Sequence, residues 1–148
     1  MILKPQFRLA SMALLAAALL LTAPATAQHA THYVSHPSAA EIEAANVLLV
    51  DIRSPAEWQQ TGVFPGALLM TYDGSDPEAF IDGLRPHLRP GQPVALICRT
   101  GNRTSRAAAQ FAPLLEQPVV DLAGGMMRLL ADGYAPARPT REQGCTIC

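Results

Sequence analysis

The sequence predicts an α/β fold: a single domain with a central, mostly parallel β-sheet flanked by helices on both faces. Three short apolar runs carry that expectation: Val47-Leu48-Leu49-Val50, residues 93–97, and Val119-Val120-Asp121-Leu122. The first two are of strand length and end abruptly in polar loops, as strands buried on both faces do. Helix-patterned stretches separate the three, and strands alternating with helices argue for βαβ units. In such sheets ligands sit at the carboxyl ends of the strands, so the loops after Val50 and Ile97 should share one edge.

Residues 28–36 form a polar arm without a period that holds three of the four histidines and runs into a first short strand near Tyr33 and Val34. Pro37 then opens a helix. Ser38 and Glu41 have capping-box spacing, and Ile42, Ala44 and Ala45 carry the helix to about Asn46. The polar cluster at 51–55 ends the first buried strand. Residues 56–60 suit one turn of helix, 62–66 a turn and 67–70 a short strand. A weaker helical pattern over 76–88 is interrupted by Gly83 and Pro86. From Thr104 to Phe111 the chain is rich in strong helix formers, and Pro113 should kink or shorten that helix. Gly124-Gly125 reads as a turn, 126–132 as a short helix stopped by Gly133, and the chain from Ala135 onward as irregular.

The first 27 residues stand apart and inflate the 49% hydrophobic content of the 148-residue chain. Lys4 and Arg8 make a basic start, residues 9–21 are apolar or small apart from Ser11, and Ala25-Thr26-Ala27 closes the run. That is the grammar of a secretory signal peptide. Its core, at about 1.5 Å per residue, reaches ~20 Å, short of the ~30 Å hydrocarbon layer, so no stable membrane span is expected after cleavage. The sequence thus predicts a leader (1–27), a flexible arm (28–36), one domain (33–136) and a tail (137–148), in a periplasmic or secreted product. About 120 residues cannot hold two full cores.

Without Lys4 and Arg8 the chain keeps nine arginines and no lysine against twelve acidic residues, a formal balance of −3. Scattered arginines offer no basic face for a phosphate backbone, which argues against nucleic acid. Export also sets an oxidising compartment. Three cysteines there are an odd number, so at least one thiol stays free or pairs outside the chain.

The most informative segment is Cys98-Arg99-Thr100-Gly101-Asn102-Arg103-Thr104-Ser105, between a buried strand and an alanine-rich helix. A loop wound tightly there can turn successive N–H groups inward, and the helix amino terminus adds roughly half a positive charge. Gly101 supplies a backbone angle that a Cβ would resist. Arg99 and Arg103 add full charges. A thiol at the lip of such a cradle should ionise below its free value of about 8.5. It would be fit to attack a sulfur or phosphorus that carries anionic oxygens.

These residues resemble the active-site loop of the rhodanese family of sulfurtransferases, C-R-x-G-x-R-[ST], matched by Cys98, Arg99, Gly101, Arg103 and Thr104. The likeness runs further. Asp51-Ile52-Arg53-Ser54-Pro55 with Glu57-Trp58 is similar to the family's D-[VI]-R-x-x-x-E-[FWY] signature, and Val63-Phe64-Pro65-Gly66-Ala67 resembles its H-I-P-G-A turn. Leu122-Ala123-Gly124-Gly125 with Gly133-Tyr134 is similar to its closing G-G…G-[YF] segment. Val63 replaces the usual histidine and Leu129 the usual aromatic, both at packing positions, so the chemistry should be little changed. The likeness spans residues 33–136.

The resemblance implies that Cys98 accepts a sulfane sulfur as a persulfide, which a second nucleophile then removes. Arg99, Thr100, Gly101, Asn102 and Arg103 would hold the donor's anionic part. Arg99 would be the electrostatic partner of the donor, and Arg103 would either share that task or pair with Asp51 to brace the two loops. No metal or organic cofactor is implied. The implied partners are a small sulfur-containing anion such as thiosulfate and a thiophilic acceptor, cyanide or a thiol, with a thiol partner protein left open. Related phosphatases need C-x₅-R, with arginine where this chain has Thr104, and the earlier Arg103 makes a tighter ring.

Other polar groups fit plainer roles. The spacing of Asp51, Arg53 and Glu57 suits a charge-paired structural brace at a helix start, and Trp58 reads as core. Cys145 and Cys148, spaced C-x-x-C, suit a disulfide first and a redox pair exchanging with Cys98 second. His29, His32 and His36 lack a second shell for a metal. The sequence therefore predicts a thiosulfate sulfurtransferase. The alternatives are a noncatalytic carrier that holds a persulfide or an oxyanion, and a thiol-disulfide exchanger built on Cys145 and Cys148.

Overall fold

The computed structural model describes residues 30–148; the leader, Gln28 and His29 lie outside the described residues. β1 (His32–Ser35), β2 (Leu48–Asp51), β3 (Leu68–Leu69), β4 (Val94–Ile97) and β5 (Val119–Leu122) form one sheet in the order β1-β5-β4-β2-β3. Every pairing is parallel. The register sets Asp51 beside Ile97 and Leu96 beside Asp121, so the chain leaves β2, β4 and β5 at one edge of the sheet.

Parallel neighbours require crossovers. These are α1 (Ala39–Ala44), α2 (Pro55–Thr61), α3 (Pro77–Leu84) and α4 (Asn102–Phe111), with α5 (Gly125–Ala131) after the last strand. Both α1 and α2 start in complete capping boxes, Ser38 with Glu41 and Ser54 with Glu57. Strand side chains alternate between faces. Val94, Leu96 and Cys98 join Val50, Ile52, Phe80, Ile81, Leu84, Ala107, Ala108 and Phe111 in a core under α3 and α4. Ala95 and Ile97 join Ile42, Trp58, Val120, Leu122, Met126 and Leu129 in a second core under α1, α2 and α5. All four β4 residues are buried, which explains the unbroken apolar run.

Three elements differ from the sequence expectation. The strand expected over 67–70 shrinks to Leu68–Leu69. The helix expected over 76–88 ends at Leu84 and passes into a 3-10 turn, Arg85–His87, because Pro86 has no N–H to continue the ladder. The helix expected from Thr104 begins two residues earlier, at Asn102, because Gly101 takes a left-handed conformation (φ +94°) and serves as its N-cap.

The tail is also more ordered than its composition implied. Val63 and Ala137 form an antiparallel bridge, with N–H···O distances of 2.8 and 2.9 Å. The Leu69 amide donates to the Gln143 carbonyl at 2.7 Å, and the Gln143 side-chain amide donates to Phe64 O at 2.8 Å and Ala67 O at 3.2 Å. The outer edge of β3 is thereby covered, which removes an unpaired strand edge. Cys145 is buried in the second core and is disulfide-bonded to Cys148. Among the described residues, no helix is long and apolar enough to cross a membrane.

Candidate active site

β4 delivers Cys98 at its carboxyl end, and four residues later the chain is already in α4. Within that turn the Gly101 amide donates to the Cys98 sulfur at 3.1 Å. The Thr104 hydroxyl donates to Gly101 O at 2.9 Å and lies 3.7 Å from the same sulfur. Ser105 N–H also donates to Gly101 O, at 3.0 Å. The loop is therefore tied to the first turn of α4 while its glycine amide faces the thiol.

A second helix fixes the other side of the loop. Met126 N–H donates to the Cys98 carbonyl and Met127 N–H to the Arg99 carbonyl, each at 2.9 Å. In a trans peptide the N–H points opposite the carbonyl of the same plane, and no described peptide is cis. The amides of Arg99 and Thr100 therefore point away from α5. Gly125 packs directly against the Cys98 carbonyl, so any Cβ there would drive the loop off its seat. In the sequence Gly124-Gly125 reads as a turn within the segment similar to the closing motif, and the glycine pair is the signal for this seat.

Arg99, Thr100 and Asn102 are exposed, Gly101 is buried and Arg103 is half-buried. Cys98 itself is only 1% exposed. The expectation of a thiol at the lip of the cradle is thus corrected: Cys98 is buried with the α3–α4 core, in contact with the Gly101 amide and Thr104. Arg103 does not pair with Asp51, as one expectation had it. Its Nη2 instead meets Glu57 Oε1 at 2.5 Å. Burial works to lower the Arg103 pKa, but the hydrogen bond and charge of Glu57, with smaller contributions from Cys98 and Asp51, outweigh it and raise the value.

Asp51 is taken instead by Arg53, and both are fully buried. Arg53 Nε donates to both Asp51 oxygens at 2.9 and 3.0 Å, and Nη2 donates to Oδ2 at 2.6 Å. The rest of the guanidinium reaches Thr61 Oγ1 at 2.5 Å and the Gly62 carbonyl at 2.7 Å. This pair fastens the end of β2 to the far end of α2. Glu57, in the first turn of α2, then reaches across to Arg103. Burial tends to raise the Glu57 pKa, but hydrogen bonds from Arg103 and Ser54 and the Arg103 charge hold the carboxyl below its usual range. Asp51, Arg53 and Glu57 thus connect β2 to the cysteine loop, each bonded within the protein.

The remaining candidates lie elsewhere. Cys145 sits in the second core, on the opposite face of the sheet from Cys98, and its disulfide partner Cys148 is exposed. His32 is in exposed β1 and His36 follows it, whereas His29 falls outside the described residues. Among the described residues no group of three or more histidine, cysteine or acidic side chains is placed to hold a metal ion. Val63 and Leu129, which depart from the family pattern, are buried at 0% and 1%.

The arrangement defines a class of α/β domain in which a cysteine sits in a tight strand-to-helix loop at the carboxyl edge of a parallel sheet, the edge where such sheets place their sites. Within that class a model of the rhodanese-like domain matches residues 38–132, and the chain belongs to that family. No curated protein matches the chain. Two solved structures are similar. A protein of unknown function from Rhodopseudomonas palustris CGA009, described as a possible tyrosine phosphatase, is 23% identical over 66% of this chain and 76% of its own, with a TM-score of 0.48. A rhodanese-related protein from Thermoplasma volcanium is 25% identical over 64% of this chain and 85% of its own, with a TM-score of 0.45.

Proposed function

We propose that this chain is an exported sulfurtransferase that moves a sulfane sulfur from a donor such as thiosulfate to cyanide or a thiol through a Cys98 persulfide. The observation that carries the reading is the 3.1 Å contact between the Gly101 amide and the Cys98 sulfur, inside a loop held on both sides by helices. The Cys98 thiolate attacks the outer sulfur of thiosulfate. A sulfur–sulfur bond forms to Cys98, the bond within thiosulfate breaks, and its electron pair leaves with sulfite. The acceptor then attacks the outer persulfide sulfur and returns the electron pair to Cys98. The exposed Arg99 and the loop amides stabilise the donor's oxygens.

The burial of Cys98 favours a second reading, a noncatalytic module that keeps a persulfide for a partner protein. The two separate by mass and turnover. The enzyme gains one sulfur atom at Cys98 from thiosulfate and forms thiocyanate from cyanide, and Cys98→Ser abolishes both. A stable adduct that small acceptors never discharge selects the carrier. Activity that survives Cys98→Ser but disappears in Cys145→Ala/Cys148→Ala returns the exchanger. Export and cleavage after Ala27 are read from the mass of the protein recovered outside the cytoplasm.

A further inference from the structure

A cavity of about 220 Å³ runs along α4 from beside the cysteine loop and is unused by the chemistry above. Arg103, Arg106, Ala107 and Gln110 form one wall, and Tyr72, Asp73 and Gly74 form the other. The α4 residues are spaced i, i+3, i+4 and i+7, one face of a helix. At about 1.5 Å per residue the wall extends roughly 10 Å from Arg103, its end nearest Cys98.

The charges are not those of a simple anion site. Arg103 is already neutralised by Glu57. Arg106 lies within 4.0 Å of no carboxylate among the described residues. Asp73 has no cation in that range either; it accepts only from Ser75, at 2.9 Å from the amide and 2.6 Å from the hydroxyl. Those two bonds hold the Asp73 carboxyl below its usual range and so ionised at neutral pH. On the Tyr72 side, the phenol donates to Gln110 Oε1 at 2.9 Å, which fixes that acceptor and leaves the Gln110 NH₂ free to donate. One unpaired cation and one unpaired anion therefore share a cavity without meeting.

We infer that this cavity is the acceptor subsite of the transferase and takes an α-amino-acid thiol, with its carboxylate on Arg106, its ammonium on Asp73 and its sulfur directed past Arg103 toward Cys98. A dianion such as thiosulfate would gain from Arg106 and lose to Asp73, and a plain amine would do the reverse. A zwitterion satisfies both. The assignment rests on the sulfurtransferase reading. The amino-acid thiolate attacks the outer sulfur of the Cys98 persulfide, a new sulfur–sulfur bond forms, the bond to Cys98 breaks, and its electron pair stays on Cys98 as thiolate. Any proton on the outer sulfur leaves with the amino-acid persulfide, and no oxidant or reductant is consumed.

Binding is tested without turnover, using S-methyl-L-cysteine and two truncated probes, 3-(methylthio)propionate and 2-(methylthio)ethylamine, on the full mature protein. Saturable NMR shifts at residues 72–74 and 103–110 with S-methyl-L-cysteine are expected, with binding of each truncated probe weaker by roughly two- to fivefold, since Asp73 and Arg106 are both exposed and water screens each contact. Arg106→Gln and Asp73→Asn should each weaken the intact probe by a similar factor, their fold checked by circular dichroism. Turnover adds a ratio: in Arg106→Gln, transfer to L-cysteine should fall roughly two- to fivefold relative to transfer to cyanide. Absence of binding at these residues, or equal affinity for all three probes, overturns the subsite. Failure of thiosulfate to load Cys98 overturns the sulfurtransferase reading instead, and the probe titration still decides the cavity.

Discussion

Gly101→Ala tests whether the amide facing Cys98 does the work assigned to it. The glycine has φ +94°, a conformation that costs an L-residue roughly 1–2 kcal/mol. An added Cβ would also stand 2.8 Å from the Gly124 amide nitrogen and 3.6 Å from two Ala123 atoms. Relieving the first contact pushes the loop away from the β5–α5 turn by about half an ångström, enough to misalign a hydrogen bond. Together the strain and the contact should cost ~2–4 kcal/mol, which a domain of ordinary stability, ~5–15 kcal/mol, survives. Loss of one preorganised donor should slow reaction about 10²-fold to 10³-fold. Gly66→Ala is the matched control, because Gly66 also has positive φ (+76°) but nothing lies within 4 Å of its added Cβ. Urea unfolding measures stability, and mass spectrometry follows sulfur uptake from thiosulfate at Cys98. Gly66→Ala should show the backbone cost and the parental uptake rate. If Gly101→Ala loads sulfur as fast as Gly66→Ala, the amide has no role in the chemistry.

Arg53→Met should destabilise the domain by ~3–5 kcal/mol in urea, because it leaves the Asp51 carboxylate buried without its cation, and Asp51→Leu/Arg53→Met should recover most of the loss; a single variant within about 1 kcal/mol of the parent would refute the brace. Glu57 titrates lower in the folded chain than its ordinary 4.5, so its contribution is full above that pH and is lost as pH falls through the depressed value. Thermal midpoints of the parent and Glu57→Gln should therefore converge on acidification below pH 4.5, and a gap that persists undiminished at pH 3 would contradict the linkage. Truncation after Pro136 should lower stability by ~3–5 kcal/mol, at about 1 kcal/mol per lost hydrogen bond, and promote association through the bared β3 edge, as read by light scattering. A bulky disulfide reagent should titrate Cys98 far more slowly in the native protein than in denaturant, and equal rates would show that the sulfur is open.

The residues that made the fold legible are those whose environment is set by local pattern. Val94 to Ile97 read as a buried strand because all four are buried, and Ser38 announced a helix start that its hydroxyl does cap, whereas the equivalent capping box at Ser54 emerges only in the structure. The loop from Cys98 to Arg103 was legible because strand, glycine and helix fix its path over few bonds. Long-range contacts were not. Nothing in the sequence distinguishes Glu57 from Asp51 as the partner of Arg103, since both are acidic residues near one strand end and the choice depends on the first turn of α2. Sequence likewise cannot count what covers a sulfur, and Cys98 proved to be buried. The tail shows no period because its attachments are backbone carbonyls and one glutamine, Gln143, to which hydropathy is blind. Asp73 and Arg106, 33 positions apart, are brought to opposite walls of one cavity only by the fold.

The sheet also decides which thiols can serve Cys98. Side chains on successive strand residues leave opposite faces, and Leu96 and Cys98 share the α3–α4 face, whereas Ala95, Ile97 and Cys145 belong to the other. Thiol exchange passes through a sulfur–sulfur bond of about 2 Å, so the two sulfurs must touch. For Cys145 to reach Cys98 the tail would have to give up its bonds to Leu69, Phe64 and Ala67 and pass round the edge of the sheet. Nothing in the chemistry of Cys98 compensates that loss. The Cys145–Cys148 disulfide sits beside the bonds that hold the tail on the β3 edge, and Cys145 is buried on the face opposite Cys98. Under the proposed sulfur transfer, the acceptor thiol would therefore come from outside the chain, on the face of the sheet that Cys98 shares with α3 and α4.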